Sequence, residues 1–225
     1  MRRSVVTVVG DSHALVFDEL RARRLLPGVW LDVVSVGGAT ALGLANPNST
    51  TNAVAIFSDV LRRTPASRPT IFMLGEVDCG FLIWYRSTTR GSTVDDEFQQ
   101  SLERYTAFLD EARDAGRRSI IVLSVAPPTV PDYSVWVGLE NARRDVTASI
   151  EARTELTRAY NRELGLWAVA NSAEFIDLDT DLIDPSTGLL DERFRNPDPY
   201  DHHLAPIPFA ALLAERLGSL RPAGR

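Results

Sequence analysis

The stretch VVTVVGDSHALVF, residues 5–17, decides how the rest of the chain is understood. A β-branched run from Val5 to Val9 stops at Gly10-Asp11-Ser12-His13, and an apolar pattern compatible with a helix follows. Strand, glycine turn and helix in succession form the opening unit of a parallel α/β sheet. Ser12 sits at the junction, where two roles compete. A serine there is a good N-cap, because its hydroxyl accepts a hydrogen bond from an amide of the first turn. A serine at a strand-to-helix turn is also well placed to act as a nucleophile, provided a base takes its proton.

Working outward, four more strand-like runs bounded by turn residues occur at Trp30–Val34, Thr70–Leu74, Ser119–Ser124 and Glu174–Leu178. Helical patterns lie between them at Ala14–Leu26, Thr51–Arg63, Val94–Ala115, Asn141–Asn171 and Pro206–Leu220. Five strands alternating with helices predict an α/β fold with a five-stranded parallel sheet covered on both faces. No internal repeat or low-complexity linker interrupts the pattern, so residues 1–225 are expected to form one domain. The tail RPAGR, residues 221–225, is expected to fray.

Composition narrows the function. The chain has 225 residues, is 44% hydrophobic and 24% charged, and carries a net charge of −6. That acidic balance argues against a nucleic-acid partner, which needs a basic face. No apolar stretch reaches the roughly 18 residues of a membrane span. The apolar run after Met1-Arg2-Arg3 is too short for a signal-peptide core, so a cytoplasmic protein is expected. Cys79 is alone, which removes intrachain disulfides and CxxC metal pairs. Every basic side chain is arginine, so Schiff-base, P-loop and Ser-Lys chemistry are all absent. His13, His202 and His203 are the whole imidazole supply.

In parallel α/β sheets, ligands bind outside the carboxyl ends of the strands. The loops at that edge are GDSH after the first strand, SVGGATALGLANPNSTTN after the second and GEVDCGFLIWYRSTTRGST after the third. APPTVPDYSVWVG follows the fourth, and DTDLIDPSTGLLDERFRNPDPYDHHLAP follows the fifth. A base for Ser12 must come from His202 or His203, with Asp201 or Asp198 to orient it. The Ser12 backbone N–H and the Gly37-Gly38 turn are candidate oxyanion donors.

Gly10-Asp11-Ser12, the GGAT block at Gly37–Thr40, and an Asp/His pair before a final helix together resemble the SGNH (GDSL-like) hydrolases. The resemblance runs from residue 10 to residue 204. It implies a flavodoxin-like, three-layer α/β/α sandwich and an esterase, lipase or deacetylase activity without cofactor or metal. It also implies that Ser12 is the nucleophile, Gly38 an oxyanion donor and His203 the base. Two blocks depart from the family pattern. Val77 stands where the family's oxyanion asparagine belongs, between Glu76 and Asp78. The final block, Asp198-Pro199-Tyr200-Asp201-His202-His203, has no aspartate three residues before a histidine. His203 with Asp201 is the preferred pair, and His202 with Asp198 the alternative.

The resulting expectation is a serine esterase or deacylase acting on a small acylated metabolite or sugar. The alternatives are an acyltransferase using the same residues, or a non-catalytic domain that binds a glycan, an acyl group or a partner. Nucleotide binding is disfavoured, because GxGxxG is missing. His13 is expected at the pocket edge or in the first turn, Asp11 as a turn-stabilising carboxylate, and Glu76 with Asp78 as a loop brace. Cys79 is expected to be buried. Phe81–Tyr85 is either core or pocket wall. The acidic run Asp177, Asp179, Asp181 and Asp184 is expected to be solvated, and TVPDYSVW to form a lid.

Overall fold

The computed structural model describes residues 4–46, 48–131, 146–198 and 201–220. The five strands are β1 (Ser4–Gly10), β2 (Val29–Ser35), β3 (Thr70–Met73), β4 (Ile120–Leu123) and β5 (Glu174–Ile176). They pair in the order β2-β1-β3-β4-β5, every pair parallel. Each predicted strand is present, with ends shifted by one or two residues.

Alternation along the strands builds two cores, because successive side chains point to opposite faces. Val6, Val8, Ile71, Met73, Ile121 and Leu123 pack on one face beneath α1 (Val16–Ala22) and the C-terminal helix Pro206–Arg216, through Phe17, Leu20, Phe209 and Leu213. Val9, Phe72, Leu74, Ile120 and Val122 occupy the other face. There they meet α2 (Ala53–Arg63), α4 (Val94–Asp114) and α5 (Ile150–Ala170), through Phe57, Phe98, Phe108, Tyr160 and Leu164. Each such fully buried side chain contributes about 1.5–3 kcal/mol. The result is the three-layer α/β/α sandwich that the sequence pattern predicts.

The order reverses between β1 and β3, since the chain goes from β1 out to β2 and then crosses back. That reversal opens a crevice at the carboxyl edge, the usual ligand site of such sheets. Ser12 follows β1 and Glu76-Val77 follows β3, so both blocks flank the crevice.

Three elements differ from expectation. The first helix is shorter and opens with a one-turn 3-10 helix, Ser12–Leu15; it stops after Ala22, and Arg24 takes a positive φ of 56°. The segment after β3 is helical rather than a loop. A π-helical turn at Asp78–Leu82 runs into α3 (Ile83–Arg90), which ends at Gly91 in the left-handed region. Helix α5 begins at Ile150, where Ser149 caps it by accepting from Ala152 N at 3.2 Å. The remaining helices are α6 (Asp179–Leu182) and α7 (Pro206–Arg216). Most of the expected lid and the 221–225 tail fall outside the described residues.

Candidate active site

Gly10 ends β1 because nothing larger fits: an added Cβ would lie 2.3 Å from the Met73 carbonyl oxygen and 2.9 Å from Ala14 Cβ. The turn that follows is capped by Asp11, whose Oδ1 accepts the His13 backbone N–H at 2.8 Å. The N-cap is therefore Asp11, and the Ser12 hydroxyl plays no part in it. Ser12 is half-buried and lines a cavity of about 410 Å³ together with Leu15, Val16, Asp201, His203 and Phe209.

The loop after β5 brings Asp201 and His203 to this cavity. His203 Nδ1 lies 2.5 Å from Asp201 Oδ1, and the same oxygen accepts the His203 backbone N–H at 2.9 Å. Asn196 Nδ2 donates to the other carboxylate oxygen at 2.9 Å. Partial burial pushes the Asp201 carboxyl up, but the His203 amide and ring more than offset this and hold it below the ordinary carboxylate range. With Nδ1 committed to the carboxylate, Nε2 is the nitrogen left for proton transfer. Nε2 is shielded from solvent and has no hydrogen-bond partner among the described residues. Ser12 and His203 thus share a cavity without a hydrogen bond between them.

His13 repeats the same local geometry. Asp11-Ser12-His13 and Asp201-His202-His203 are both Asp-x-His, and in each one aspartate oxygen takes both the backbone N–H and Nδ1 of the histidine. The environments separate them. His13 is only 4% exposed, and its Nε2 faces Glu76 Oε2 at 3.9 Å. Burial opposes the charged imidazole, but the Glu76 and Asp11 carboxylates outweigh it and push His13 up to about 9. His13 is therefore an imidazolium at neutral pH, with no lone pair to accept the serine proton. Its ring centroid lies 4.6 Å from that of His203.

The His202 ring tilts against His203 at 4.2 Å, and its carbonyl accepts from Thr129 Oγ1 at 2.7 Å. The Asp198 backbone shapes the turn: its carbonyl accepts from Asp201 N at 3.1 Å, and its N–H donates to Asn196 Oδ1 at 3.0 Å. Ligand atoms of Asp201, His202 and His203 lie within 4.8 Å of one another, the one cluster with metal-ligand spacing among the described residues. Asp201 and His203 are already spent on each other.

The second and third blocks have separate tasks. The second loop is tied to the first by Ser35 Oγ on the Asp11 carbonyl at 2.7 Å and by Val36 N on the Gly10 carbonyl at 2.9 Å. Gly38 is exposed with a φ of +71°, and it lines a separate cleft rather than the Ser12 cavity. Asp78 is fully buried and accepts from Ala41 N at 2.7 Å, Leu42 N at 3.0 Å and Ser101 Oγ at 3.1 Å. Burial pushes its carboxyl up to about 6 despite those bonds. Asp78 is thus the anchor of the second loop. Val77 is buried and aliphatic, and it offers no side-chain donor. Gly75 takes a φ of +119°, and a Cβ there would meet Val125 Cγ2 at 2.8 Å.

Cys79 is buried, and burial pushes its thiol well above the ordinary value. Phe81, Trp84 and Tyr85 pack against Val130, Val146 and Ala148 in a small third cluster. The acidic run is locally engaged: Asp179 with Asn161, Asp181 with Arg216, Asp184 with Ser186, and Asp177 with the Asp179 amide. Asn196 and the His13–Glu76 contact were not legible in the sequence, since nothing in spacing links Glu76 to residue 13 or distinguishes Asn196 in a long polar loop.

Comparison with known proteins adds the fold. No family model matches the sequence, and no curated protein matches it. Solved structures do. A GDSL-like lipase from Bacteroides thetaiotaomicron superposes with a TM-score of 0.64 at 13% identity, over 96% of this chain and 88% of that one. The acetyl xylan esterase AlAXEase gives 0.56 at 15% identity, over 96% and 98%. A proposed SGNH hydrolase from Slackia heliotrinireducens gives 0.55 at 16% identity, over 96% and 100%.

Proposed function

We propose that this chain, which has the fold of the SGNH (GDSL-like) hydrolases, is a serine hydrolase cleaving an acyl ester through an acyl-enzyme on Ser12. The observation that carries the reading is the Asp201–His203 pair, joined at 2.5 Å in the cavity that Ser12 also lines. A histidine whose Nδ1 is held by a carboxylate presents a basic Nε2, and the carboxylate stabilises the imidazolium formed on protonation.

In this mechanism Ser12 Oγ attacks the ester carbonyl while its proton passes to His203 Nε2. The tetrahedral oxyanion is met by the backbone N–H of Ser12 and by Gly38 on the tethered second loop. As the intermediate collapses, His203 returns the proton to the departing alkoxide, and the alcohol leaves. Water then attacks the acyl-Ser12 carbonyl, again losing its proton to His203. Collapse releases the acid and restores the serine hydroxyl. Val77 supplies no donor at the third oxyanion position, a difference worth about 2.7–4 kcal/mol where such a donor is removed from an enzyme that has one. A modest turnover is the consequence.

The apolar lining of the Ser12 cavity, from Leu15, Val16, Leu204 and Phe209, suits the acyl portion of the ester. The test is turnover of p-nitrophenyl acetate and butyrate by the parent and by Ser12→Ala. Release of nitrophenol by the parent alone supports the reading. Equal rates in both proteins overturn it.

A further inference from the structure

A second cleft of about 540 Å³, lined by none of the residues of the Ser12 cavity, is left without a task by the mechanism above. Its lining is mostly polar, from the second loop, α3 and α4, and includes Gly38. Three arginines reach it, Arg86, Arg90 and Arg104, and no carboxylate among the described residues lines it. This is a concentrated positive surface on a chain whose net charge is −6.

The three arginines are held differently. Arg104 donates from Nη1 to the Leu42 carbonyl at 2.8 Å, which fixes its guanidinium against the second loop while consuming no anion. Arg86 pairs through Nε with the buried Glu97, whose other oxygen accepts from Ser92 Oγ at 2.7 Å. Arg90 lies one turn along α3 on the same face, and its charge acts on the same Glu97 carboxyl that Arg86 holds directly. One acid is therefore set against three guanidinium groups, leaving an excess of two positive charges. Like charges one turn apart are mildly destabilising on a helix unless something answers them. Around them, Asn46, Asn48 and Thr50 offer amide and hydroxyl groups of the kind that hydrogen-bond a polyol.

We propose that this cleft is an anion-binding subsite for the alcohol portion of the ester: a polyhydroxylated compound, such as a sugar, bearing a carboxylate or phosphate group. The proposal rests on the serine-hydrolase reading for its link to catalysis, but the cleft binds its ligand whether or not Ser12 reacts. Guanidinium groups recognise carboxylate and phosphate oxygens through paired, charge-assisted hydrogen bonds. Gly38, assigned above to the oxyanion, lines the arginine cleft, so the polar alcohol is assigned to that cleft and the acyl group to the apolar cavity.

The test is binding to the Ser12→Ala protein, where no turnover can consume the ligand. Glucuronate, glucose 6-phosphate, glucose and inorganic phosphate are each titrated by calorimetry. The charged sugars are expected to bind at least about tenfold tighter than glucose and than free phosphate. Preference for glucuronate assigns a carboxylate, and preference for glucose 6-phosphate a phosphate. Arg90→Gln is expected to erase about tenfold of that advantage, and Arg90→Lys to restore part of it, with unfolding midpoints unchanged. Equal affinity for glucose and its charged analogues overturns the proposal. So does an advantage that survives Arg90→Gln. Failure of Ser12 to react with esters overturns the hydrolase reading and leaves this measurement standing.

Discussion

His13 and His203 lie with ring centroids 4.6 Å apart, each tied at Nδ1 to the aspartate two residues before it. The pair comes from opposite ends of the chain and differs in what lies at Nε2. His13 faces Glu76 at 3.9 Å, and both histidines line the cavity of Ser12. The same local motif thus places one histidine between two carboxylates, where it is charged at neutral pH.

The charged histidine makes stability depend on pH. His13 rises from an ordinary 6.5 to about 9, so the folded state holds this proton more tightly than the unfolded chain. Its contribution is complete below pH 6.5 and lost as pH rises through about 9, an effect on the order of 3 kcal/mol. Urea unfolding of the parent is expected to show stability falling between pH 6.5 and 9. His13→Gln should be less stable at pH 6 and close to the parent at pH 9.5. The same pH slope in both proteins would count against the assignment.

The choice of base separates by mutation. His203→Ala is expected to lower kcat by 10³-fold or more, as removal of a triad histidine does elsewhere. Asp201→Asn should lower it by about 10²–10⁴, because an amide at this position favours the wrong tautomer. His202→Ala, which removes a ring tilted against that of His203 and leaves the Asp201–His203 pair in place, should stay within about tenfold of the parent. A larger loss in His202→Ala than in His203→Ala would transfer the role to His202, with Asp198 its partner.

Asp78 is expected to act through the loop it holds. Asp78→Ala leaves the Ala41 and Leu42 amides and the Ser101 hydroxyl without their acceptor, at about 1–3 kcal/mol for each buried group left unsatisfied. The loss should appear in urea unfolding, and with it a raised KM as the Gly38 segment loosens. Asp78→Asn keeps one acceptor oxygen and should lose less. Full stability in Asp78→Ala would show that the loop is held by other contacts.

Gly10 tests the turn that presents the serine. Gly10→Ala would force a methyl against the backbone oxygen of Met73, an atom that cannot swing aside. A loss of about 3 kcal/mol or more is expected, together with loss of activity. An unchanged midpoint would show that the β1 turn can move.

The strands were legible because their β-branched runs end sharply at turn residues, and the alternation of Ile71, Phe72, Met73 and Leu74 already encodes two faces. The strand-to-helix turn at Gly10–His13 and the pairing of Asp201 with His203 were legible as well. What escaped was the helix after β3. Gly75, Gly80 and the aromatic run Phe81–Tyr85 suggest a loop or strand, and only Gly91 in its left-handed C-terminal position marks the end of a helix. With that helix hidden, the alignment of Arg86 and Arg90 on one face was hidden too. The Glu76–His13 contact depends on β1 and β3 being neighbours, a matter of sheet order that no local pattern reports.

The central claim is that Ser12 is a nucleophile activated by His203. It is tested most directly by intact-mass analysis after exposure to a fluorophosphonate, which reacts with activated serines. The parent is expected to gain one adduct, mapped to Ser12 by peptide sequencing, while Ser12→Ala gains none and His203→Ala gains it far more slowly. An unmodified parent, or an adduct that persists in Ser12→Ala, would contradict the account.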